Sequence, residues 1–267
     1  MCCLFGFVDY AGSLSVKQKG CLIRELSIAA EARGTDATGI AYNTSRGLQI
    51  YKRPLAAHRL HLRIPAEAHV VLGHTRMTTQ GSAKKNFNNH PFFGHVKGQS
   101  FALAHNGAIW NDLELRRTKH LPRTKVQTDS FIAVQILEQQ KSLDFSSMRY
   151  TAEAVEGSFS FTVLSERDDL YLIKGDNPLN IVHFPKVGVY IYASTAEILN
   201  KALARCGNWL GREERVDIAM GDIVRIDGNG RITRGAFDAS KFYRSSWGYW
   251  DTSLYPRLPH SEEEHLS

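Results

Sequence analysis

The chain has 267 residues, 43% hydrophobic and 22% charged, and its 33 basic and 27 acidic side chains leave a formal charge of +6. Those proportions are ordinary for a globular chain and exclude a collagen-like, disordered or coiled-coil molecule as a whole. The charge is too small to argue a nucleic-acid face, and no run of 18 apolar residues predicts a membrane span. The apolar N-terminal run lacks a basic leader and stops at Asp9, so it does not read as a signal peptide. Four cysteines (Cys2, Cys3, Cys21 and Cys206) in a chain of this length point to a reduced, cytoplasmic protein rather than a disulfide scaffold.

In chain order, residues 2–8 read as a buried strand and about 15–32 as a helix opened by Ser13-Leu14-Ser15. Residues 38–43 and 48–52 read as a hairpin, and 69–75 as a buried strand. The polar, Gly- and Asn-rich stretch 76–98 reads as one long loop. A strand over 101–105 ends at Asn106-Gly107. Asn111 is placed as the cap of a helix over 112–120, Thr128 as the cap of one over 129–140, and 149–156 as a short helix. Short strands follow at 158–165, 169–174, 180–184 and 188–193, then a helix from Thr195 to about 204. Residues 216–219, 222–227 and 231–234 read as a closing meander turning at Asp227-Gly228-Asn229-Gly230. These lie in one domain, 2–235. From 236 to 267 the chain is an aromatic extension (Tyr243, Trp247, Tyr249, Trp250, Tyr255) that packs along its own domain or forms a dimer seam, so a homo-oligomer stays open. Strands and helices mix without βαβ alternation, which predicts an α+β fold with sheets packed face to face and helices outside. No phosphate-binding loop or dinucleotide fingerprint is present, so no cofactor is expected.

Cys2 follows the initiator methionine directly. A small second residue allows Met1 to be clipped, leaving one residue with both a thiol and a free α-amine of pKa near 8. Such an amine can act as general base to its own side chain. Arg76, at the end of a buried strand, could grip a carboxylate with its fork or sit in a loose salt bridge. Asp129 could hold an ammonium or simply favour a helix N-terminus. Asn106-Gly107 could aim two N–H donors at an oxyanion or form a tight turn; the Ala-Ile-Trp that follows disfavours the turn. His58-x-x-His61, His90 and His95 carry no accompanying metal motif and read as ordinary loop histidines, so no metal site is expected.

The order of these fragments resembles the class II glutamine amidotransferases. Met-Cys-x-x-Phe-Gly opens the chain; Arg33-Gly34-Thr35-Asp36-Ala37-Thr38-Gly39-Ile40-Ala41 follows. Then come Gly73-His74-Thr75-Arg76 with Thr79, Gly81 and Asn89-His90-Pro91, and His105-Asn106-Gly107-Ala108-Ile109 with Asn111 and Leu115-Arg116. Thr128-Asp129-Ser130 and Gly221-Asp222-Ile223 complete the set over about residues 2–230. The resemblance implies the four-layer αββα sandwich of N-terminal-nucleophile hydrolases, with two stacked, mainly antiparallel sheets. It implies hydrolysis of the side-chain amide of L-glutamine. Cys2 is then nucleophile, Asn106 and Gly107 are oxyanion donors, and Arg76, Thr79, His90 and Asp129 bind substrate. It also implies an ammonia acceptor, expected on a separate subunit because only about 35 residues follow the domain. Two other readings stand beside it: a hydrolase of another γ-glutamyl compound or peptide, and a non-catalytic subunit that kept the fold. Cys3 departs from the family's usual glycine, Met77 from a frequent tryptophan, and Gln80 from a frequent histidine.

Overall fold

The computed structural model describes residues 2–242. Strands β1 (Cys3–Asp9), β2 (Ala37–Thr44), β3 (Gly47–Arg53) and β4 (Val70–Arg76) appear at the expected places. So does helix α1 (Val16–Ala30), which Ser15 and Gln18 open with a reciprocal capping box. The stretch 76–98 departs from expectation. Phe92–Val96 is a strand, β5, whose burial alternates with Phe92, Gly94 and Val96 inward. Its period-2 pattern is short, and the polar residues before it mask it.

Strand β6 runs from Gln99 to Ile109, so Asn106 and Gly107 lie inside a strand and not at its end. Helices α2 (Asp112–Thr118) and α3 (Phe131–Gln140) follow. Thr128 does not cap α3. Ser130 stands at the cap position and makes no cap bond, because its hydroxyl meets His105 Nδ1 at 2.8 Å. Helix α4 (Phe145–Ala154) starts four residues before the expected 149, fixed by an Asp144 capping box with Ser147.

Strands β7 (Gly157–Ser165), β8 (Leu170–Lys174), β9 (Asn180–Phe184) and β10 (Val189–Ala193) lead to α5 (Ala196–Cys206), capped by Thr195. The closing meander has only two strands, β12 (Asp222–Ile226) and β13 (Ile232–Ala236). The preceding strand, β11, is Glu214–Val216 and leaves to pair with β9 in the other sheet.

All pairings are antiparallel and build two sheets, β11-β9-β10-β1-β4-β2-β3 and β13-β12-β8-β7-β6-β5. Alternation splits β1 between two cores. Phe5 and Phe7 face α1 and α5 with Leu22, Leu26 and Leu199, while Leu4 and Val8 face the second sheet with Leu72, Ala102 and Leu172. The outer face of the second sheet packs on α3 and α4 through Phe161, Ile132 and Met148. The result is the expected αββα sandwich. Phe237 and Phe242 lie 5.8 and 5.3 Å from the Phe159 ring. Tyr243, Trp247, Tyr249, Trp250 and Tyr255 lie outside the described residues. Among the described residues no helix is long and apolar enough to cross a membrane.

Candidate active site

The start of β1 sits between β10 and β4, at the middle of the first sheet, with Cys2 just before it. Arg33 Nε donates to the Cys2 carbonyl at 2.9 Å, and the Cys2 thiol donates to the Met77 carbonyl at 3.6 Å. Burial raises the thiol above its ordinary pKa; the Met77 bond and the positive charge of Arg76 pull the other way, and Asp129 adds to the rise. The charges of both side chains are therefore felt at the Cys2 sulfur.

Arg76 ends β4 and is 3% exposed. Its Nη1 donates to Asn89 Oδ1 at 2.7 Å, and its Nη2 to the carbonyls of Gln80 at 2.5 Å and Gly81 at 2.9 Å. Both forks of a guanidinium include Nη2, so the open two-pronged grip expected for a carboxylate is occupied by the chain's own loop. That loop carries Thr79, which is exposed, as are Met77, Thr78 and Gln80. Asp36 N–H donates to the Arg76 carbonyl at 2.9 Å, and Asp36 Oδ2 accepts the Thr78 N–H at 2.7 Å. A Cβ on Gly34 would come within 2.4 Å of the Arg76 carbonyl carbon, so only glycine lets this segment lie against β4.

Asp129 is 6% exposed. Its Oδ2 accepts the Ile109 N–H at 2.6 Å, and its own N–H donates to Gln80 Oε1 at 2.7 Å. Ser130 passes a hydrogen bond from His105 Nδ1 on to Asp129 Oδ1 at 3.3 Å. Two residues before Ile109, Gly107 holds φ +144, where a Cβ would stand 1.8 Å from the Ser158 carbonyl oxygen. Phe159, opposite Gly107, donates to Asp176 Oδ1 and accepts from Asn177 N, so it is turned toward the β8 side. Asn106, fully buried, places Nδ2 3.5 Å from Ser194 Oγ and leaves Oδ1 unmatched. Ser194 Oγ accepts the Leu4 N–H at 2.9 Å. The bonds thus form a ring through Cys2, Met77, Arg76, Gln80, Asp129, the end of β6, Ser194 and back to β1.

His90 lies beneath this ring. Its imidazole is 4.2 Å from that of His74 and 4.3 Å from the Phe92 ring, and neither nitrogen finds a protein partner. Burial and the neighbouring His74, His105, Arg76 and Lys52 hold its pKa well below the ordinary histidine value. His74 is pushed down to about 3 by the same burial, and its Nε2–H donates to the His105 carbonyl at 3.0 Å, tying the two sheets together. Burial beside Arg76 brings Lys52 down to about 8, and its ammonium donates to the Asn89 and Pro91 carbonyls. His58 pairs with Glu31 at 3.0 Å, and among the described residues no three His, Cys, Asp or Glu side chains are placed to hold a metal ion.

The family model for class II glutamine amidotransferases matches residues 1–168. The chain belongs to that family. The glutamine–fructose-6-phosphate aminotransferase (isomerizing) of Halalkalibacterium halodurans is 30% identical over 199 residues, 72% of this chain and 32% of that one. The same enzyme of Bacillus thuringiensis subsp. konkukian is 32% identical over 188 residues, 67% of this chain and 30% of that one. The chain spans about a third of the length of the curated relatives it matches. The Bacillus subtilis glutamine phosphoribosylpyrophosphate amidotransferase, solved with ADP and GMP, shares its fold, with a TM-score of 0.67 at 16% identity over 88% of this chain and 49% of that one.

Residue types alone gave Arg33, Asp36, Gln80, Asn89 and Ser194 no part in the site. Arg33, Asp36 and Asn89 stand inside the quoted motifs, and those motifs were the available signal. Ser194 stands in Ala193-Ser194, which resembles a core-strand fragment of the family, but its partners, 190 and 88 residues away in sequence, could not be read from that fragment.

Proposed function

We propose that this chain hydrolyses the side-chain amide of L-glutamine within residues 2–235 and yields ammonia for an acceptor on a separate subunit. The observation that carries the reading is the hydrogen-bonded ring that gathers Cys2 from just before β1, Arg76 from β4, the Asn106-Gly107 pair from β6 and Asp129 from just before α3. Once Met1 is removed, the Cys2 α-amine takes the thiol proton as Sγ bonds to the amide carbon. Asn106 Nδ2 and the Gly107 N–H hold the oxyanion. The tetrahedral adduct collapses, the C–N bond breaks, and the proton returns to the nitrogen as ammonia leaves. Water then attacks the thioester, releasing glutamate and restoring the thiol. Asp129 holds the substrate ammonium and Arg76 its carboxylate; a two-pronged grip needs the Gln80 and Gly81 carbonyls to give up Nη2. Thr79 rides on the loop that must then move, and His90 supports the wall from below in neutral form.

Exposed apolar residues support a partner at the mouth. Met77, next to Arg76, is 48% exposed; Trp110 and Leu113, just beyond β6, are 69% and 76% exposed. The four free cysteines fit a reducing cytoplasm.

Glutamate release is the test, using protein with a native N-terminus and an intact mass showing Met1 removed. Turnover in the wild type and none in Cys2→Ala is the expected result. A wild type without Met1 that releases no glutamate with or without an acceptor would overturn the reading.

A further inference from the structure

We propose that Ser194 is a positioning residue that sets which face of the Asn106 carboxamide is offered to the substrate. The proposal rests on the glutamine reading above. Ser194 lies directly after β10 and is fully buried. Its N–H donates to the Leu4 carbonyl at 2.8 Å, its Oγ accepts the Leu4 N–H at 2.9 Å, and its carbonyl accepts Asn180 Nδ2 at 3.0 Å. Backbone and side chain together clamp the strand that carries the nucleophile, so the hydroxyl oxygen has a fixed place.

Around that oxygen the accounting is incomplete. Asn106 Nδ2 approaches it at 3.5 Å, a long and weak contact, while Asn106 Oδ1 is buried with no partner. The Ser194 hydroxyl has two acceptors within reach of its proton, the Cys3 sulfur and, once the carboxamide turns, Asn106 Oδ1. Sulfur is a weak acceptor and an amide oxygen a strong one. A half-turn of the carboxamide lets Ser194 O–H donate to Oδ1 and satisfies the buried acceptor. The same half-turn moves Nδ2 to the place Oδ1 now holds, which no protein atom claims. Two N–H donors then stand ready for an anionic oxygen. Ser194 thus couples the position of β1 to the donor that the oxyanion needs.

Glutamine hydrolysis by Ser194→Ala, Ser194→Thr, Asn106→Ala and the Ser194→Ala/Asn106→Ala pair tests the assignment, with iodoacetamide alkylation of Cys2 run beside it. Ser194→Ala lowers kcat by about tenfold or more with KM within about threefold, and Ser194→Thr recovers most of the loss. The double variant is no slower than Asn106→Ala alone, and the alkylation rate of Cys2 stays within about twofold. An unchanged kcat in Ser194→Ala, losses that multiply in the double variant, or alkylation falling in step with kcat overturns the assignment. If the wild type has no turnover, the glutamine reading fails and the Asn106 side-chain amide resonances decide the positioning. They shift in Ser194→Ala when the hydroxyl grips the amide, and identical resonances overturn the grip.

Discussion

Arg33 Nε meets the Cys2 carbonyl at 2.9 Å, so a side chain from the 3-10 turn after α1 fixes the backbone of the residue whose thiol is proposed to react. A hydrogen bond from a charged donor is worth about 1.5–3 kcal/mol, or roughly ten- to hundredfold in rate if it is felt in the transition state. Arg33→Met is expected to lower kcat by about that factor while KM changes little. Steady-state kinetics check it; a kcat within about twofold of wild type would show that β1 alone holds Cys2 in place.

Asn106 and Gly107 are expected to fail in different ways. Asn106→Ala removes one donor and should cost about 10²–10³ in kcat with an unchanged melting curve. Gly107→Ala puts a Cβ 1.8 Å from the Ser158 oxygen at φ +144, so β6 and β7 must separate there. Roughly 2–4 kcal/mol of stability should go with it. Thermal melts of the two variants distinguish donor loss from strand displacement. Equal melting temperatures would contradict the second half.

The sheets were legible because buried strands such as Cys3–Asp9 and Val70–Arg76 open on apolar runs, Cys3 to Val8 and Val70 to Gly73, and α1 carries its capping box in sequence. The residues proposed for the site came from the motifs around Cys2, Arg76, Asn106 and Asp129, and the fold gathers them. Strand β5 was hidden because five residues of alternation follow a polar loop. The partition of β11 and β12 between sheets was hidden because pairing partners are a tertiary choice. The occupied fork of Arg76 was hidden for a similar reason. Gly81 read as part of a motif and Gln80 as a departure from it, but the bonds to Arg76 are made by their backbone carbonyls, which carry no side-chain signature.

The buried histidines predict acid sensitivity. His74 and His90 have pKa values far below the ordinary 6.5, His74 at about 3. Below 6.5 the unfolded chain binds protons that the folded chain does not, so stability rises with pH in that window and is lost as pH falls toward 3. Each histidine contributes roughly 1 kcal/mol of loss between about pH 6.5 and pH 5.5. Urea midpoints should fall over that interval, and His90→Gln should show a shallower fall by one group's share. A flat profile would mean that the imidazoles take up protons in the folded state.

Arg76→Lys tests the wall that the loop shares with the substrate. Lysine keeps the charge but has no planar fork, so it cannot serve Asn89 Oδ1 and the Gln80 and Gly81 carbonyls and still meet a carboxylate. KM for glutamine should rise by about 10²-fold, because a charge-assisted pair is lost from a buried position. The loop over residues 77–81 should become easier to cleave in limited proteolysis, since its two carbonyl anchors have gone. Glutamine should protect the wild-type loop less than it protects Cys2 from alkylation, because binding of the carboxylate competes with those same anchors for Nη2. Stronger protection of the loop by substrate would show instead that Arg76 holds the loop and the carboxylate together, through Nε and the remaining Nη1 hydrogen.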